Sequence, residues 1–218
     1  MSKIFMMLGR IFVAALTFLS LETTALSMDV GMLTKSQGGV VFSSDKDSGK
    51  PAVAFTKVRV GDKLKLSQDA HLQLVYFDGG RQETWQGAGQ LEVGATESKS
   101  STLKPEVKQL PLMLVKQLVR TPSPDIKSRT GMVLVRAMAT PEKIKSLEDN
   151  YAAMRKDISA DDFTPELYLL SGLFELKQLQ KIREVLADIA AKHPNNDDAK
   201  AVVEHYSRLC DLAESKHL

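Results

Sequence analysis

A single cysteine, Cys210, stands in 218 residues, so no intramolecular disulfide is available and the fold must be held by packing. The formal net charge is only +2, too small an excess to draw nucleic acid to the surface. Histidines number four, and His71, His193, His205 and His217 do not cluster with cysteine or carboxylates at metal-ligand spacing. A zinc site needs three or four convergent donors, so no metal is expected and these histidines read as solvated or incidental. No serine lies in a G-x-S-x-G elbow or an S-x-x-K motif, and no glycine-rich loop is built to cradle phosphate, so neither nucleophilic catalysis nor a cofactor is indicated. Long apolar runs are also missing. The run from Ile11 to Leu21 is far below the roughly 20 residues a bilayer-spanning helix requires, and Arg10 blocks its extension.

What is there begins with a processing pattern. Lys3 and Arg10 precede that run, and Ala25-Leu26-Ser27 follows it, which predicts a secretory signal over residues 1–27 cleaved before Met28. No cysteine follows the run, so lipid modification is not expected. The expected product is periplasmic or secreted, with formal charge +1, no membrane span after cleavage, and enough chain for one large or two small cores.

From Val30 to about Gly94 short β-branched and aromatic runs are broken by Gly, Asp and Ser. Val40-Val41-Phe42 and the stretch 53–60 read as strands separated by a polar loop, Ser43 to Pro51. Leu64 and Leu66 alternate with lysines. Ala70, Leu72, Leu74 and Tyr76 share one face of the clearest strand, since side chains alternate with period two. Gly79-Gly80 then predicts a tight hairpin leading into Arg81 to Gln86, with Leu91 and Val93 continuing the pattern. Arg81, Glu83 and Trp85 fall on one face of that partner strand. If the face is open, the trio is a candidate ligand or partner contact; if it turns inward, Trp85 is the largest core residue. Residues 95–108 are polar and read as a connection or a weak edge strand. A helix is expected from Leu110 to Val119, opening at Pro111, and a buried strand over Gly131 to Arg136.

Beyond Met138 the rhythm changes. Thr140-Pro141-Glu142 starts a helix carrying Ile144, Leu147, Tyr151, Met154 and Ile158 at spacings of three and four. Thr164-Pro165-Glu166 starts a second, with Asp161-Asp162 supplying negative charge at its N-terminus. A third ends before His193-Pro194, and Asn195-Asn196-Asp197-Asp198 opens a fourth, on which Cys210 joins an apolar stripe with Val203, Tyr206 and Leu209.

Val60-Gly61-Asp62, the alternating 70–76 strand, Asp78-Gly79-Gly80 and Leu91-Glu92-Val93-Gly94 together resemble the FecR-like periplasmic domain over residues 58–94. That resemblance implies a small β-rich module of bacterial envelope proteins. Residues 164–197 resemble a degenerate tetratricopeptide-type hairpin, through Leu169, Leu173, Leu179, Ile182, Leu186 and Pro194. No second copy follows at that period, and a stable solenoid normally needs about three repeats, so a plain helical bundle is the equal alternative.

The combined expectation is an α+β fold: a small antiparallel β-sandwich or barrel with a connecting segment over 28–137, then a three- to four-helix bundle over 138–218. Its expected role is that of a non-catalytic binding or scaffolding module, with an envelope protein or cell-wall glycan as partner. A periplasmic sensor component and an envelope-polymer hydrolase are the alternatives, the latter without a residue constellation behind it.

Overall fold

The computed structural model describes residues 28–44, 47–124 and 139–215. The expected signal segment 1–27 and the expected strand over 131–136 lie outside the described residues. The architecture is mixed α+β, with two antiparallel five-stranded sheets followed by five helices. In chain order the strands are β1 (Asp29–Gln37), β2 (Val40–Ser44), β3 (Asp47–Pro51), β4 (Lys57–Arg59), β5 (Lys63–Leu66), β6 (His71–Tyr76), β7 (Arg81–Gln86), β8 (Gly89–Val93), β9 (Ser98–Lys99) and β10 (Glu106–Gln109). One sheet has the order β10-β7-β6-β1-β4 and the other β3-β2-β5-β8-β9.

Period-two alternation positions the core. Leu33, Leu72, Leu74, Tyr76 and Trp85 of the first sheet and Val40, Leu64, Leu66, Leu91 and Val93 of the second bury into one shared cluster. Gly79 and Gly80 both take positive φ, 73° and 72°, as the hairpin between β6 and β7 requires. Asp62 accepts a hydrogen bond from the Arg59 amide at 2.8 Å, and the Gly61 amide donates to Val93 O at the same distance, so the turn before β5 is tied to the end of β8. Gly31 sits at a bulge in β1 where a Cβ would lie 2.6 Å from the carbonyl oxygen of Val75. Backbone cannot yield as a side-chain tip can. Gly31→Ala is therefore expected to cost about 1–3 kcal/mol, seen as a lower urea midpoint at unchanged m-value.

Two sequence expectations are corrected in this half. The stretch Ser43 to Pro51 is no loop: β2 runs to Ser44, and β3 pairs with it through Val41–Pro51 and Phe42–Lys50. Pairing at a sheet margin needs only backbone, so a polar sequence conceals it. The stretch 53–60 is no continuous strand either. Only 57–59 pairs, Val53 and Val60 are 54% and 56% exposed, and Phe55 adopts φ 69° with its ring buried. The polar stretch 95–108 does supply edges, with β9 closing one sheet and β10 the other.

The helices are α1 (Leu112–Arg120), α2 (Pro141–Asp157), α3 (Thr164–Glu175), α4 (Leu179–Lys192) and α5 (Asp197–Ser215). Thr140 caps α2 by accepting from the Lys143 amide, and the Asn196 side chain caps α5 through the Asp198 and Ala199 amides at 2.9 and 3.1 Å. At α3 the capping acceptor is Asp162 rather than Thr164: its Oδ1 takes the Thr164 amide at 3.0 Å and also the Thr164 hydroxyl. Every residue of α3 from Thr164 to Phe174 is buried, because the other helices surround it. Leu114, Val115 and Leu118 of α1 share the helical core with Leu167, Leu170, Ile182, Tyr206 and Cys210, and Met32, Phe55 and Val75 reach into it from the β half. A buried polar chain links these helices: Thr121 to Ser171, and Ser171 to the Tyr206 hydroxyl at 2.7 Å. No helix among the described residues is long and apolar enough to cross a membrane.

Candidate functional site

The trio on β7 is brought together, but facing inward. Trp85 is 1% exposed and Glu83 fully buried, leaving only Arg81 in part at the surface. Glu83 accepts from Arg81 Nε at 2.8 Å, from Trp85 Nε1 at 3.2 Å and from the Ser98 amide at 3.1 Å. The neighbouring Tyr76 hydroxyl meets Ser98 Oγ at 2.7 Å, and burial pushes the Tyr76 phenol up to about 12. These residues thus fill the role that inward facing implies, a satisfied polar knot within the β core.

The other face of the same sheet carries a cleft. Along β6 and β7 the outward positions are His71 and Gln73, then Gln82, Thr84 and Gln86. Helical residues cover Val75 at one end of this face, whereas His71 and Gln86 are exposed at the other. Between these ends lies a cleft of about 190 Å³, floored by Thr34, Gln73, Thr84 and Glu106 and walled by Ser159, Asp161 and Phe163 from the α2–α3 connection. Register places Gln73 beside Thr84 and Thr84 beside Glu106, so the floor is a row of side chains crossing the strands. Thr34 Oγ1 donates to Gln73 Oε1 at 2.7 Å, which turns the Gln73 NH₂ into the available donor. The ion pair Lys35–Asp198, at 2.7 Å, ties β1 to the start of α5 at the cleft margin.

A second hollow, about 410 Å³, opens among α2, α3 and α4. Glu166 on its wall accepts from Arg155 at 2.7 Å and from Tyr151 at 2.9 Å, and Arg155 also donates to the carbonyls of Ile158 and Asp162 at 3.1 and 3.0 Å. Burial is the main reason the Tyr151 phenol rises to about 12, with the Glu166 carboxylate adding to it. This network is spent on holding the α2–α3 connection, and through it the wall of the cleft.

His205 requires a correction. Rather than being solvated, it is 4% exposed, with its ring 4.8 Å from that of Phe55 and Nε2 3.0 Å from the carbonyl of Pro122. Burial lowers its pKa to about 4. His71 is exposed on the outward side of its strand, and Cys210 is buried, with burial raising its thiol, as expected of a core residue. Sequence singled out none of Thr34, Gln73, Thr84 or Glu106. Alternate polar positions on a strand look the same whether they meet open water or a facing wall. No group of three or more potential metal ligands occurs among the described residues.

No protein-family model matches the chain, and neither a curated protein nor a solved structure does so.

Proposed function

We propose that this protein is an exported component of the bacterial envelope that acts as a non-catalytic binding or scaffolding module, with the polar cleft as its contact surface. In this reading the two sheets form a FecR-like β-sandwich and the helices a bundle with repeat-like packing. The observation that carries it is the cleft itself: hydrogen-bonding side chains crossing one sheet, facing a wall contributed by the helical half. Binding is favoured over turnover by where the perturbed groups lie. His205, Tyr206 and Tyr76 are shifted by burial and engaged inside cores, and Tyr151, on the wall of the second hollow, is tied to Glu166, while the cleft carboxylates Glu106 and Asp161 are exposed.

Export is tested by expressing the full chain in a Gram-negative host, fractionating, and sequencing the recovered N-terminus; Met28 in the periplasmic fraction is the expected result. Binding is tested by thermal shift against solubilised envelope components. A component at one hundred times its Kd should add about 2.7 kcal/mol, and Gln73→Ala with Thr84→Ala should remove that gain. Full stabilisation of the double variant would rule the cleft out.

A further inference from the structure

We infer that the cleft takes a linear glycan carrying free amino groups, a chain of de-N-acetylated hexosamine, laid across the strands. The inference rests on the cleft being the binding surface. Three features select this class.

The first is direction. The floor crosses β1, β6, β7 and β10, three strand spacings or about 14 Å, so an occupant lies perpendicular to the strands. An extended peptide in that orientation cannot pair with the sheet backbone, whose groups are engaged in the ladders between these strands. It would have to satisfy its own amides and carbonyls on scattered side chains. A polyol needs only what the floor offers: the Gln73 NH₂ as donor, the Thr84 hydroxyl as donor or acceptor and the Glu106 carboxylate as acceptor, side by side across the strands.

The second is charge. Four carboxylates, Glu106, Asp161, Asp162 and Asp198, face two ammonium groups, Lys35 and Lys108. Lys35 is held by Asp198 at 2.7 Å, Lys108 lies 3.9 Å from Glu106 between exposed side chains, and Asp162 caps the start of α3, so the exposed Asp161 is the carboxylate that sets the sign. The excess is negative, which repels uronic acids and phosphates and favours an amine. The third is composition: the apolar members of the lining, Phe163 and Val202, are buried, so no open hydrophobic pocket exists for an aliphatic or aromatic side chain.

The test is titration calorimetry on the full chain with four probes: the glucosamine tetramer, the N-acetylglucosamine tetramer, a tetragalacturonate and tetralysine. The glucosamine tetramer should bind tightest and weaken as salt is raised. Asp161→Asn should weaken it about two- to fivefold, the range for a single exposed charge pair, and Glu106→Gln by less, because Lys108 already offsets that carboxylate. Thermal melts of these surface variants verify that they remain folded. Equal binding of the N-acetylated tetramer, or any preference for tetragalacturonate, would overturn the amine selection. Tetralysine binding as tightly as the glucosamine tetramer would overturn the glycan class, since charge alone would then suffice. If every oligosaccharide fails while an envelope component still stabilises the protein through Gln73 and Thr84, this inference falls and the binding reading survives. If no probe or component responds to those substitutions, both fall.

Discussion

Glu83→Ala should cost about 3–5 kcal/mol, chiefly from leaving the Trp85 indole and the Ser98 amide without an acceptor at about 1–3 kcal/mol each, without altering ligand affinity in whatever protein remains folded. The substitution strips the acceptor from three donors at once: the Arg81 guanidinium, the Trp85 indole and the Ser98 amide. It also leaves a void in a site with no solvent exposure. Since a domain's entire stability is typically about 5–15 kcal/mol, this one change should bring the β half close to unfolding at ambient temperature. Glu83→Gln keeps the shape and one acceptor oxygen, so it should cost clearly less. Equilibrium urea denaturation of the three proteins measures the order. Unchanged stability with altered binding would instead make the β7 trio a recognition site and reverse the assignment made from its burial.

The second large effect is on pH dependence. His205 is held neutral in the fold because burial lowers its pKa from 6.5 to about 4, outweighing the opposite pull of the Pro122 carbonyl. Between those values the unfolded chain takes up a proton that the folded chain refuses. Stability therefore rises with pH across this window: it is fully present above 6.5 and declines as pH falls toward 4. At pH 5 the loss from this residue alone should be about 2 kcal/mol, approaching about 3 kcal/mol at pH 4. The charged neighbour is Arg208, whose field deepens the depression; Phe55 and Tyr206 contribute rings. His205→Gln can still donate to Pro122, so denaturation at pH 7.5 and pH 5 should show a smaller fall for the variant by about the same 2 kcal/mol. Equal slopes for both proteins would place the titrating group elsewhere.

Much of the fold was legible because local chemistry dictates it. Alternation over 70–76 marked a strand with one buried face, and Leu72, Leu74 and Tyr76 are fully buried. The paired glycines marked the hairpin, and the threonine and asparagine caps marked the starts of α2 and α5. By contrast, β3 was hidden because an edge strand needs no apolar side chains. The Phe55 conformation was hidden because the contacts that hold it are remote in the chain: its amide donates to Leu33 O at 2.6 Å, and the His205 ring packs against its ring. A left-handed backbone at a bulky residue is unfavourable by itself and persists only under tertiary constraint.

The candidate site was the least legible part. Gln73 and Thr84 come from adjacent strands, whereas Asp161 and Phe163 come from the connection between two helices, and no sequence spacing joins them. Asp161-Asp162 read only as a helix start, a role that Asp162 does perform.

By itself, then, the amino-acid sequence determined the two kinds of side-chain periodicity, most turns and caps, and the disulfide-free core that burial of Cys210 completes. Those properties depend on neighbours within a few residues. Tertiary structure alone decided which face of β7 turns inward, that His205 is sealed against Phe55, and that a polar sheet surface acquires a wall. Each of these depends on how two separately patterned halves press together, and side-chain periodicity records that a face is apolar or polar without recording what will come to cover it.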